Sequence, residues 1–155
     1  MKLKEDVITD REEMEELLRK EKVCRFAMCD DRGPYVLPTA YGYRDGRLYL
    51  HSSREGRKIE ALKRDPRVCF VVDTGYEMVP GSPGGPHRIA FRFKSVIGSG
   101  RARFVEDPEE KREAMDIIVE QQFGKAGFNY SGQGLENMAV IRVDLESLTG
   151  KRVGY

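Results

Sequence analysis

Tryptophan is absent from the 155 residues, histidine occurs twice and cysteine three times. The two histidines, His51 and His87, are too few for a histidine-rich metal centre. The spacing of Cys24 and Cys29 puts them on opposite faces of a regular strand, so both facts argue against zinc. An odd set of cysteines, Cys24, Cys29 and Cys69, each inside an apolar strand-like run, argues against a disulfide framework and for a reducing compartment. They read as core residues rather than nucleophiles. No apolar run approaches the roughly 20 residues of a membrane helix. Net charge is +1, so no broad field for nucleic acid or a membrane surface is expected. Met1-Lys2-Leu3-Lys4-Glu5-Asp6 lacks the apolar core of a secretory signal, and a cytoplasmic location is expected. Ser52, His51 and Asp73 are the residue types of a hydrolase triad, but no nucleophile-elbow motif frames them. Gly98-Ser99-Gly100 lacks the third glycine of a dinucleotide-binding turn.

The composition that remains, 34% charged and 39% hydrophobic, is that of a globular chain, and the length suits one domain over residues 1–155. Thr9 is placed to cap a helix, with Glu12 completing a capping box. Met14, Leu17 and Leu18 form its apolar stripe, and it ends near Lys22. Val23 to Cys29 and Tyr35 to Tyr43 read as strands around a turn at Asp30-Asp31-Arg32-Gly33. Pro38 marks the second as an edge strand or a bulge. Arg44-Asp45-Gly46 reads as a tight hairpin from which Arg47 to His51 returns. A helix from Gly56 to Arg64 follows. Then Val68, Cys69, Phe70, Val71 and Val72 run without a break, the pattern of a strand buried on both faces.

Glycine and proline crowd Thr74 to Pro86, which reads as a loop, either covering a site or disordered. His87 to Val105 alternates again, with Ile89, Phe91 and Phe93 opposed to Arg88, Arg92 and Lys94. Its Gly98-Ser99-Gly100 marks a bulge or a close approach. Asp107-Pro108-Glu109-Glu110 starts a helix, with proline at the favoured first position. That helix turns Ala114, Met115, Ile118 and Val119 inward and ends near Gly124. Lys125 to Asn137 is a glycine-rich connection, and Met138 to Leu145 is the last strand. About six short strands with two or three peripheral helices predict a mainly β fold, an antiparallel barrel, because the regular strand–helix alternation of a doubly wound sheet is missing.

The start of the helix at Gly56 is electrostatically reversed. A helix N-terminus carries partial positive charge and favours acids, yet Arg54, Arg57 and Lys58 crowd this one against Glu55 alone. Two readings stand. An anion could sit there, held by exposed N–H groups, the hydroxyls of Ser52 and Ser53 and the cations, as in a phosphate cradle. Alternatively the long basic side chains simply point into water.

The ordered set Gly33-Pro34-Tyr35-Val36-Leu37-Pro38, Asp45 to Ser52, Glu55-Gly56-Arg57-Lys58, Asp65 to Phe70, Phe93 to Gly98, Gly100-Arg101-Ala102 and Thr149 to Arg152 resembles the FMN-binding split-barrel family of pyridoxamine 5′-phosphate oxidase. Within that family it is most similar to the nitroimidazole-resistance flavoproteins. The resemblance covers Val7 to Arg152 and implies a six-stranded antiparallel split β-barrel. It further implies that Arg57 and Lys58 hold the FMN phosphate, and that His51 and Ser52 lie along the ribityl phosphate chain. Val36, Leu37, Pro38, Thr39 and Tyr41 would border the isoalloxazine ring, and Ser95 would make a polar flavin contact. A homodimer with each flavin in a groove between subunits is also implied.

The oxidases proper continue into a C-terminal segment with a tryptophan and an Arg/His-rich motif. This sequence has neither, so oxidation of pyridoxamine phosphate is not the expected reaction. The expected function is electron transfer through FMN from a nicotinamide to a small flat acceptor such as a nitroaromatic. His51 would orient that acceptor or supply a proton, or would only pack against the cofactor. The alternative is a non-catalytic module storing FMN, FAD, a deazaflavin or haem.

Overall fold

A computed structural model describes residues 4–79 and 91–155. Its elements in order are β1 (Glu5–Ile8), α1 (Arg11–Lys20), β2 (Val23–Asp30), β3 (Gly33–Ala40), β4 (Gly42–Arg44), β5 (Arg47–Ser53), α2 (Arg57–Arg64), β6 (Arg67–Met78), β7 (Phe91–Phe104), α3 (Pro108–Phe123), α4 (Gly132–Glu136) and β8 (Met138–Val153). Among the described residues no helix is long and apolar enough to cross a membrane.

All strand pairs are antiparallel, and the sheet order is β3-β2-β6-β7-β8-β5-β4, with β1 beside β8. β3 and β4 stand at opposite ends of that order, yet only Tyr41 separates them in sequence. Two edges one residue apart must meet, so the sheet curls into a barrel. Phe26, Leu48, Leu50, Phe70, Val72, Val96, Ile141 and Val143 fill it, with Leu18 of α1 and Ile59 and Leu62 of α2 in the same core. A second cluster lies outside, where Ala114, Met115, Ile117 and Ile118 of α3 and Leu135 of α4 pack on Tyr49, Val105 and Val140.

Local signals account for many boundaries. The β4–β5 hairpin turns through Asp45 (φ 50°) and Gly46 (φ 75°), both positive as a primed turn requires. Asp107 caps α3 by accepting from the Glu110 N–H at 2.9 Å, and Pro108 follows it. Pro38 lies on β3, an edge strand. Gly98 and Gly100 flank a register shift between β7 and β8. A Cβ on Gly98 would run into the Phe70 ring.

Elsewhere the sequence reading is corrected. There are eight described strands, not six. β1 is only four residues long, and the run from Tyr35 to Tyr43 breaks at Tyr41, whose ring turns into the core. Asp10, not Thr9, caps α1, accepting from the Glu12 N–H at 3.0 Å. β6 continues to Met78 because it stays paired with β7, so Thr74 to Met78 is strand rather than loop. The rest of the Gly75 to Pro86 loop, beyond Val79, lies outside the described residues, as does His87. β6 buries one face only, through Val68, Phe70 and Val72. Of the cysteines only Cys24 is buried; Cys29 and Cys69 are exposed.

Candidate functional site

Gly56 precedes α2 with φ 115° and ψ 172°, and no side chain caps the helix. Only glycine adopts this conformation without strain, and it leaves the first-turn N–H groups without a side-chain acceptor. Arg57 and Lys58 open the helix at this point. The Arg57 Nε donates to Asp30 Oδ2 at 2.7 Å and its Nη2 to Oδ1 at 3.1 Å. The guanidinium also lies over the Tyr35 ring, 4.1 Å from its centroid, a cation–π arrangement. Hydrogen bonding from Arg57 draws the Asp30 pKa down to about 2, and the same bond raises that of Arg57.

Lys58 differs from Arg57. It is half-buried, and among the described residues no carboxylate pairs with it. Burial pushes its pKa down. His51, at the end of β5, is exposed to solvent on one side. Burial of the rest, followed by the charge of Lys58, holds its pKa below the ordinary 6.5. Ser52 beside it is half-buried. The Ser53 hydroxyl is engaged in the turn, donating to the Glu55 carbonyl at 2.8 Å. Arg54 leaves the group, donating to the carbonyl of Glu136. The three cations of the sequence therefore divide between two surroundings.

The remaining candidates are distributed along the sheet. Val36 and Pro38 face outward from β3. Leu37 and Thr39 face the barrel, paired with Phe26 and Cys24. Among the described residues β3 pairs with β2 alone, so its other backbone edge is open to a ligand. Tyr41 turns its side chain inward, fully buried, and its hydroxyl donates to the Leu18 carbonyl at 2.6 Å, so only its backbone could border a ring. That ring serves the core, and the Tyr41 carbonyl accepts from Gln122 Nε2 at 2.8 Å. Ser95 faces outward from β7, with β6 and β2 between it and β3. At roughly 4.8 Å per strand it stands about 14 Å from β3.

The fold thus places Arg57 and Lys58 at the start of α2, Lys58 with His51, and Ser52 next to His51, but leaves Ser95 apart. It adds Asp30 and Tyr35, which sequence reasoning missed. Asp30 reads as a turn residue, and nothing in the sequence links it to Arg57. Tyr35 stands inside a motif of the resemblance, the one signal that could have singled it out.

Comparison with known proteins gives these relations a context. A curated relative, an uncharacterized protein of Rhizobium meliloti (strain 1021), is 30% identical over 94 residues, 52% of this chain and 62% of that protein, so the match spans less than two thirds of the relative. The crystal structure of a candidate 5-nitroimidazole antibiotic resistance protein from Bacteroides thetaiotaomicron VPI-5482 superposes with a TM-score of 0.87 at 36% identity, covering 99% of this chain and 90% of that one. The FAD and haem binding protein of Mycobacterium smegmatis shares the fold, with a TM-score of 0.83 at 18% identity over 96% of this chain and 74% of that one. The profile of the pyridoxamine 5′-phosphate oxidase family matches residues 10–152. With that profile spanning nearly the whole length, the chain belongs to the pyridoxamine 5′-phosphate oxidase family.

Proposed function

We propose that this chain binds FMN and passes electrons from a nicotinamide to a small flat acceptor, such as a nitroaromatic. The observation that carries the reading is Lys58, a half-buried cation with no carboxylate partner among the described residues, at the uncapped start of α2. A buried charge without a partner is unfavourable, and a phosphate would supply the partner together with acceptors for the free N–H groups. Arg57 would share its donors between that phosphate and Asp30, with Tyr35 holding the guanidinium plane. Ser52 and His51 would border the chain that leads from the phosphate. The open edge of β3, from Val36 to Thr39, would offer backbone groups to a ring, with Pro38 contributing no donor. FMN, when bound, supplies the redox chemistry, and the protein supplies binding, orientation and electrostatics. His51, with its pKa below 6.5, is mainly neutral near pH 7 and is suited to accept a proton or a hydrogen bond.

The same reading includes a homodimer. The outer sheet face carries Val36, 61% exposed, and Ile97, 51% exposed; Val36 is in register with Ala27 and Cys69, and Ile97 with Val71, in neighbouring rows that also hold Ser99 and Arg25. Exposed apolar residues gathered on one sheet face suit an interaction site. Ser95 lies on this face, and in a dimer it would approach the flavin of the second copy rather than its own.

The 36% identity to the Bacteroides protein supports the choice of acceptor class. The test is an absorbance spectrum and ligand mass for the purified protein, followed by anaerobic addition of NADH or NADPH and then of a nitroimidazole. Expected are FMN, bleaching by a nicotinamide and re-oxidation by the nitro compound. FAD, a deazaflavin or haem in the mass spectrum would replace the cofactor. Bleaching by dithionite but by neither nicotinamide would replace the enzyme with a storage module.

A further inference from the structure

We infer that the chain carries a second anion-binding site, distinct from the start of α2, built around the buried ammonium of Lys111. A cavity of about 90 Å³ lies between α2, the end of β7 and the start of β8. A water needs roughly 10–15 Å³ of such space, so a small organic anion fits. Ile59, Phe104, Val105, Met138 and Val140 give it an apolar wall, and Arg54, Lys63 and Lys111 line it with cations. Glu106 is the one acid in the lining. It is largely exposed and stands 3.9 Å from Arg54.

Lys111 is only 5% exposed. Its Nζ donates to the carbonyls of Leu135 at 3.1 Å and Met138 at 3.2 Å. These are neutral acceptors near the end of α4. An ammonium has three N–H donors, so one remains for whatever the cavity holds. Carbonyls supply no compensating charge, and lysine is almost never buried without a paired charge. Arg54 belongs here rather than with Arg57 and Lys58: its guanidinium donates to the Glu136 carbonyl. Ile59 and Lys63 stand four residues apart on one side of α2, whereas Arg57 turns to Asp30 and Tyr35 on another. The chemistry that fits is a single oxyanion, a carboxylate or a phosphate monoester, on a short apolar body that rests against Phe104 and Met138.

The experiment is a titration of isotope-labelled protein, as purified, followed by amide NMR, with inorganic phosphate and butyrate as separate probes. Saturable shifts are expected at residues 104–106, 135–140 and 59–63. Lys63→Ala changes an exposed side chain and should weaken binding about tenfold, the scale of one charge-assisted hydrogen bond. Lys111→Met should abolish it, while residues around Arg57 and Lys58, already occupied by the flavin phosphate in the protein as purified, should not respond in either protein. Response to phosphate alone assigns a phosphoester, and response to butyrate alone assigns a carboxylate. No saturable shift with either probe, or titrations unchanged in Lys63→Ala, overturns the site whether or not Lys111→Met folds.

Discussion

Arg57 and Asp30 are joined by two hydrogen bonds, of 2.7 and 3.1 Å, across 27 residues of sequence. Asp30 comes from the end of β2 and supplies the acid that does not stand at the N-cap of α2. The reversed electrostatics of that helix are therefore half answered within the fold. Arg57 is neutralised, and Lys58 is left as the charge in need of a partner.

Replacing Arg57 and Lys58 together by Ala should weaken FMN binding by about two to four orders of magnitude, at roughly 1.5–3 kcal/mol per charge-assisted hydrogen bond and about 1.4 kcal/mol per decade. Of the single variants, Lys58→Ala should do more harm than Arg57→Ala, because Arg57 already spends donors on Asp30. Riboflavin, without the phosphate, should bind the native protein and the variants alike. Fluorescence titration of the apoprotein measures all three, and an unchanged FMN affinity in the double variant would remove the phosphate assignment.

The Asp30–Arg57 pair should be visible in stability against pH. A carboxyl held at about 2 in the fold against an ordinary 3.8 binds fewer protons folded than unfolded at acid pH. Its stabilising contribution is therefore complete above about pH 4 and is lost as pH falls towards 2. Melting temperatures of the native protein and Asp30→Asn should differ by a constant amount above that window and converge within it. A difference that does not change between pH 5 and pH 2 would show that the pair is not the source.

His51 should titrate below 6.5, and removing the neighbouring charge in Lys58→Met should move it upward. The fold opposes protonation, so His51 lowers stability as pH drops below 6.5 and contributes nothing of this kind above it. Proton NMR of the imidazole in both proteins is the measurement. A pKa at or above 6.5 in the native protein would contradict the burial of the ring, and one that does not rise in Lys58→Met would contradict the placement of Lys58 beside it.

Ile97→Lys combined with Val36→Lys places charges on the outer sheet face without touching the barrel core. Sedimentation should show a dimer for the native protein at micromolar concentration and a folded monomer for the double variant. The monomer should also bind flavin more weakly, since the groove between copies is lost. A native monomer would rule out the two-copy site.

Gly98→Ala should destabilise the fold by about 1–3 kcal/mol, the range for overpacking a filled core. The new methyl would enter the space of the Phe70 ring. Urea unfolding of the variant checks this, and a change below about half a kcal/mol would mean that the ring moves freely aside.

Where the cause was local, the sequence by itself determined most of the answer, although it put the cap of α1 at Thr9, one residue before Asp10. Asp45-Gly46 demanded a tight turn and Asp107-Pro108 a helix start, while Pro38 left an edge or a bulge and Gly98 a bulge or a close approach, because each rests on the dihedrals or donors of one or two residues. The run of cations at Arg54, Arg57 and Lys58 marked the candidate site for the same reason, since a helix end has a sign that its own residues either obey or violate. Relations between distant strands belonged to the tertiary structure alone. No periodicity could show that Asp30 meets Arg57, that Tyr35 lies beneath that guanidinium, or that Tyr41 turns its hydroxyl to Leu18. Nor could it show that Arg54 leaves its neighbours for Glu136, or that Ser95 stands three strands from β3. Side-chain alternation tells which face of a strand a residue occupies. Which strands become neighbours is decided by how the sheet closes, and closure depends on burying the whole barrel core at once.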